Sequence, residues 1–242
     1  MSQIPLAIGP AAQPSFTNFM PGANGAALDH LRTLSLPSAP VYLWGPVGCG
    51  KSHLMQALAG RCQGEGQVIG WFDARDPLPW SVAPGWALVL VDRCEALDAE
   101  AQHAAFALFE DCTAHAIQVV AAGRLPPVDL PLRDDLRTRL AWGHVFAMQA
   151  LPDAETRAVI RKEADRRGIF LSDEVMDFLL THFERDLDHL MRLLDRLDDY
   201  GLAKGRRITV PLVRQMHLEE GVNEMGGTRA PPGGAAAAPR GG

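Results

Sequence analysis

Gly45-Pro46-Val47-Gly48-Cys49-Gly50-Lys51-Ser52 is the stretch from which the rest of the chain can be read. Pro40-Val41-Tyr42-Leu43-Trp44 before it reads as a buried strand, and His53-Leu54-Met55-Gln56-Ala57-Leu58-Ala59 after it as a helix. The octet fills every position of G-x-x-x-x-G-K-[ST] in the strand-to-helix setting that the pattern requires. Glycines let the backbone curl until several N–H groups point into one hollow. The positive end of the following helix faces the same hollow, so a polyphosphate is the expected occupant. Gly45, Gly48 and Gly50 would shape the cradle, Lys51 would reach the outer phosphates and Ser52 would hold Mg2+.

Composition narrows the classes. A chain of 242 residues can bury the core of one large domain or of a large and a small one. Its apolar share of 47% and charged share of 21% are ordinary for a water-soluble globular protein. The net charge of -6 gives no global attraction to nucleic acid, and no local basic stripe stands out. Cys49, Cys62, Cys94 and Cys112 lack C-x-x-C spacing, so reduced thiols are expected rather than disulfides or a zinc site. The eight histidines show no ligand-pair spacing. With no export signal and no bilayer-length apolar run, the expected setting is cytoplasmic, away from membranes.

Outward from the octet, residues 1–14 carry Pro, Gln, Ala and Gly around a brief apolar pulse and read as a flexible arm. Phe16 and Phe19 follow, as anchors onto the domain either beside a purine ring or in plain core. Ala26 to Leu34 reads as a helix. Gln67 to Asp73 is a second strand, and Ala87-Leu88-Val89-Leu90-Val91 is an apolar run suited to a central parallel strand buried on both faces. Asp92 ends that run beside the phosphate loop, where a carboxylate can hold Mg2+ through water. A helix over 99–116, a strand over 117–123, a short helix over 132–140 and a strand over 145–148 complete an alternating pattern. The fold expected for residues 15–150 is therefore α/β, a parallel sheet covered on both sides.

From Asp153 the pattern is helical alone. Asp153 is expected to cap a helix stopped by Gly168, and Ser172 a second one through Phe183. A third over about 186–202 places Leu187, Leu190, Met191, Leu194 and Leu197 on one face. A last short helix runs from Thr209 to about Leu218. Residues 151–220 are thus expected to be a small all-helical domain, and 221–242 a disordered low-complexity tail.

A phosphate loop, an acid-ended strand, an arginine before the last strand and a helical lid make the chain resemble the AAA+ ATPases. Within them it is similar to the DnaA replication-initiator family over about residues 15–218, and most to the shortened regulatory-inactivator branch, Hda. Ser15-Phe16-Thr17-Asn18-Phe19, Tyr42-Leu43-Trp44-Gly45 and Val91-Asp92 carry the resemblance, and above all Leu136-Arg137-Thr138-Arg139-Leu140-Ala141-Trp142-Gly143. That block looks like the family's L-x-S-R-x-x-W-G box, which implies that Arg139 is an arginine finger presented to a neighbour's nucleotide. Arg185, in Arg185-Asp186-Leu187, matches the sensor 2 arginine and would contact phosphate from the lid. In the arm, Gln3-Ile4-Pro5-Leu6-Ala7-Ile8 resembles the Q-x-x-L-type motif that docks on the DNA polymerase sliding clamp, with Gln3, Leu6 and Ile8 as anchors.

Three departures bear on activity. Arg93 stands where many AAA+ members carry the acid that orients the attacking water, with Glu95 out of register. Ala121-Ala122-Gly123-Arg124 replaces the polar sensor 1 strand end. Both departures leave binding intact and raise the hydrolytic barrier, so weak or no independent turnover is expected. The helix-turn-helix domain that follows the lid in DnaA has no counterpart, so sequence-specific DNA binding is not expected. The resemblance implies a clamp-tethered regulator that holds ADP or ATP with Mg2+ and stimulates hydrolysis of DnaA-bound ATP. Two rivals stand beside it: an autonomous AAA+ ATPase acting as helicase loader or remodeller, and a non-hydrolytic accessory bridging DnaA to another partner.

Overall fold

A computed structural model describes residues 13–183 and 187–226. Five strands form one all-parallel sheet: β1 (Val41–Trp44), β2 (Val68–Asp73), β3 (Trp86–Asp92), β4 (Gln118–Gly123) and β5 (His144–Ala147), in the order β2-β3-β4-β1-β5. Successive strand residues face opposite sides, so the apolar runs divide between two cores. Tyr42, Val89, Val91, Val119 and Ala121 pack with Leu108 and Phe109 of α3 (Ala99–Ala114) and Leu136 and Leu140 of α4 (Asp134–Trp142). Val41, Leu43, Leu88, Leu90, Val120 and Ala122 pack on the other side with α1 (Gly25–Thr33) and α2 (Lys51–Gly64). Continuous apolar strands are what two-sided burial requires. Gln118, fully buried, is satisfied: its amide donates to the Ala39 carbonyl at 3.0 Å and accepts from Ser38 N–H at 2.6 Å.

The lid is α5 (Asp153–Arg167), α6 (Asp173–His182), α7 (Leu187–Lys204) and α8 (Val210–Gly226) around their own core, with Ile160, Met176, Leu193, Leu197 and Val213 buried. Gly168 ends α5 in the left-handed region at φ +72°, and the next N–H, of Ile169, returns to the Ala164 carbonyl at 2.8 Å. Ser172 caps α6 as expected, accepting from Val175 N–H. Two expectations need correction. Pro152, not Asp153, occupies the cap of α5, and Asp153 is its first helical residue. The last helix passes Leu218 and runs to Gly226, because a glycine such as Gly221 penalises a helix by about 1 kcal/mol without forbidding it. No helix among the described residues is long and apolar enough to cross a membrane.

Candidate functional site

The phosphate loop leaves β1 with Gly45 N–H on the Gly123 carbonyl at 3.2 Å, which ties its start to the end of β4. Gly50, at φ +94°, turns the chain into α2 with no side chain capping the helix. The ladder begins with Leu54 N–H on the Gly50 carbonyl, so the amides of the first turn have no partner within the helix. Lys51 folds over the loop: Nζ donates to the carbonyls of Gly45 at 2.8 Å and Pro46 at 2.7 Å. Ser52 Oγ donates to Asp92 Oδ2 at 2.8 Å, while Asp92 Oδ1 accepts the Arg93 N–H at 2.8 Å. Free first-turn amides, an ammonium over the loop and an oxygen-only hydroxyl–carboxylate pair fit a nucleotide with Mg2+, a hard cation that completes its shell with phosphate and water.

The lead-in before α1 is seated on this loop. Phe19 packs so close to Gly50 that a Cβ there would lie 2.6 Å from its ring, and its ring centroid is 5.3 Å from that of His53. His53 Nε2 faces the Ser15 carbonyl at 3.1 Å and Asn18 Oδ1 at 3.0 Å; a carbonyl only accepts, so Nε2 carries the proton. Phe16 packs against the α1–α2 side of the sheet core, with Arg61 stacked 6.0 Å from its ring. Buried Asn24 donates to the carbonyls of Cys49 at 3.4 Å and Gln149 at 2.8 Å and accepts the Gln149 N–H. One amide thus joins the lead-in, the phosphate loop and the chain leaving β5.

Burial lowers the pKa of His53 against the opposing pull of the Ser15 carbonyl, and burial with nearby His144 lowers that of His30. Both prefer to be neutral in the folded chain. Their contribution is fully present above pH 6.5 and is lost as pH falls below it, because the unfolded chain takes up protons first. We expect the denaturant midpoint to fall between pH 7 and pH 5.5, and to fall less in His53→Gln.

At the strand ends, Arg93 takes a left-handed backbone at φ +54° and makes a forked ion pair with Asp73 at the end of β2. Glu95 is engaged elsewhere: Oε2 accepts the Arg124 N–H at 3.0 Å and Oε1 lies 3.4 Å from Arg124 Nε. Tyr42 Oη, donating to the Leu125 carbonyl at 2.8 Å, fills the space that any side chain at Gly123 would need.

Arg139 lies on α4 with its side chain 35% exposed, over the Phe106 ring at 5.2 Å and 3.3 Å from Glu110 Oε1. Arg133 approaches the same ring at 5.5 Å, and Trp142 is 74% exposed. Gly45, Gly48, Gly50, Lys51, Ser52 and Asp92 are thus brought together, and Arg139 stands at the surface on α4. Arg185, Gln3, Leu6 and Ile8 lie outside the described residues. The sequence assigned no role to Asn24, His53, Asp73, Phe106 or Glu110. Asp73 alone had a signal, since it closes an apolar strand as Asp92 does.

Residues 153–217 match the family model of the Hda lid domain. Among solved structures, domain III of the Thermotoga maritima replication initiation protein DnaA superposes with TM-score 0.69 at 20% identity, over 85% of this chain and 95% of that one. AMPPCP-bound DnaA from Aquifex aeolicus gives 0.65 at 20% identity, over 88% and 71%. The Thermotoga maritima RuvB Holliday junction branch migration motor gives 0.55 at 18% identity, over 74% and 60%. At these identities the structural matches establish the fold, that of DnaA domain III, and the family match is to the Hda lid over residues 153–217.

Proposed function

We propose that this protein is a DnaA-related regulator of replication initiation that holds an adenine nucleotide with Mg2+ and delivers Arg139 to ATP bound by DnaA. The observation that carries this reading is an Hda-type lid on the DnaA fold, in a chain whose strand ends lack a spare carboxylate to drive its own hydrolysis. Lys51 and the loop amides bind phosphate, Ser52 and Asp92 hold the cation, and Arg185 reaches the nucleotide from the lid. When bound, Mg2+ supplies charge neutralisation between the phosphate oxygens. Arg139 neutralises charge developing on the partner's transferred phosphoryl group. Gln3, Leu6 and Ile8 tether the chain to the sliding clamp.

The test is a reconstitution of DnaA, DNA-loaded clamp and ATP with and without this protein, read as ATP hydrolysed. No increase in hydrolysis would remove the reading. The nucleotide step has its own check. Lys51→Ala deletes a charged donor to phosphate worth about 1.5–3 kcal/mol, so nucleotide affinity should fall by about 10- to 100-fold. Binding of a fluorescent adenine nucleotide measures it. Autonomous ATPase action is the poorer reading, since Arg93 and Glu95 are both engaged in ion pairs.

A further inference from the structure

We propose that Arg93 is a positioning residue for the Mg2+ carboxylate Asp92, acting through its own backbone and anchored by Asp73. The inference rests on the nucleotide–Mg2+ reading above and assigns two residues that it leaves without a role.

Arg93 and Ala116 are the non-glycine residues with positive φ among those described. That conformation costs an L-residue about 1–2 kcal/mol and persists only where its surroundings enforce it. At Arg93 the enforcement is visible. Its guanidinium grips both oxygens of Asp73, with Nε 2.5 Å from Oδ2, a geometry that fixes direction as well as charge. Arg93's own N–H donates to Asp92 Oδ1, which leaves Oδ2 toward Ser52. Asp92 is thereby fixed in rotation, one oxygen on backbone and one toward the hydroxyl that shares the cation site.

Charge gives a second reason for the pair. Asp73 and Asp92 are register partners on adjacent parallel strands, so two carboxylates stand side by side where the sheet ends. Like charges directly across a strand pair repel. The guanidinium neutralises Asp73 and leaves Asp92 as the carboxylate that faces the phosphate loop. A cation ligand held by such an outer partner commonly loses about 10- to 100-fold in metal affinity when the partner is removed.

The experiment titrates Mg2+ into the full chain with a fluorescent adenine nucleotide, for wild type, Arg93→Ala, Arg93→Gly and Asp73→Ala. Arg93→Ala and Asp73→Ala should raise the half-saturating Mg2+ concentration by about 10- to 100-fold, with affinity in EDTA unchanged. Arg93→Gly, which enters the left-handed region freely, should recover the part of that loss that comes from the backbone. Wild-type Mg2+ dependence in Arg93→Ala overturns the proposal. So does an Arg93→Gly as impaired as Arg93→Ala, or a loss that appears equally in EDTA. Nucleotide binding by wild type that ignores Mg2+ removes the inference together with the reading beneath it, and is seen without any variant.

Discussion

Arg139→Ala should abolish stimulation of DnaA-bound ATP hydrolysis while the purified chain stays folded and still binds nucleotide. The two halves of that result come from different physics. In its own chain the Arg139 side chain is 35% exposed, paired with Glu110 across 3.3 Å and stacked on Phe106. An exposed ion pair of this kind is worth at most about 1 kcal/mol, and an exposed cation–π contact a similar amount. Stability should barely change. Delivered to a triphosphate in trans, the same guanidinium meets developing negative charge in a water-poor interface, where such fingers supply about 10³- to 10⁵-fold in rate. Arg139→Lys keeps the charge and loses the planar fork, so it should rescue only partly. Stimulation at the wild-type level by Arg139→Ala would leave a bridging accessory as the better account.

The second large effect falls four residues on. Gly143→Ala should destabilise the chain by about 3 kcal/mol, lowering its unfolding temperature by roughly 6–12 °C. A Cβ at Gly143 would stand 1.8 Å from the Pro40 carbonyl oxygen and 2.7 Å from its carbon. These are backbone atoms that cannot rotate aside. The same oxygen accepts the His144 N–H at 2.8 Å, so retreat breaks the start of the β1–β5 pairing. That pairing leads through Met148 N–H on the Trp44 carbonyl to the mouth of the phosphate loop. Trp142→Ala is the control: Trp142 is 74% exposed, and its loss should stay within about 0.5 kcal/mol. Equal stability of Gly143→Ala and wild type by thermal unfolding would refute the clash. Residues 136–143 therefore set a surface arginine beside a glycine that the sheet requires.

What was legible in sequence was local. Phosphate recognition needs a particular backbone path, and eight consecutive residues encode it, so Lys51 and Ser52 fall where the pattern puts them. Asp92 was legible because a strand buried on both faces is an apolar run, and the first acid after it marks its end. Arg93 was readable as a missing acid, but not as the partner of Asp73, because β2–β3 pairing joins residues 20 apart in sequence. Nothing local marks Asn24, since only folding brings it onto Gln149, 125 residues later. Phe106 and Glu110 lie off the buried stripe of α3, where apolar periodicity carries no signal. At the start of α5, Asp153 was favoured by cap preference, yet Pro152 took the position with extended backbone at ψ 154°.

The seating of the lead-in has a mechanical consequence. Segment 15–19 is a handle fastened to the floor of the phosphate loop by a ring on Gly50 and by the His53 imidazole. A pull on the chain ahead of Ser15 is borne by that handle before it reaches any strand. A partner gripping the N-terminal side and a ligand filling the loop would meet at one joint, and any effect of the first on the second's affinity would be returned in reverse by the same free energy.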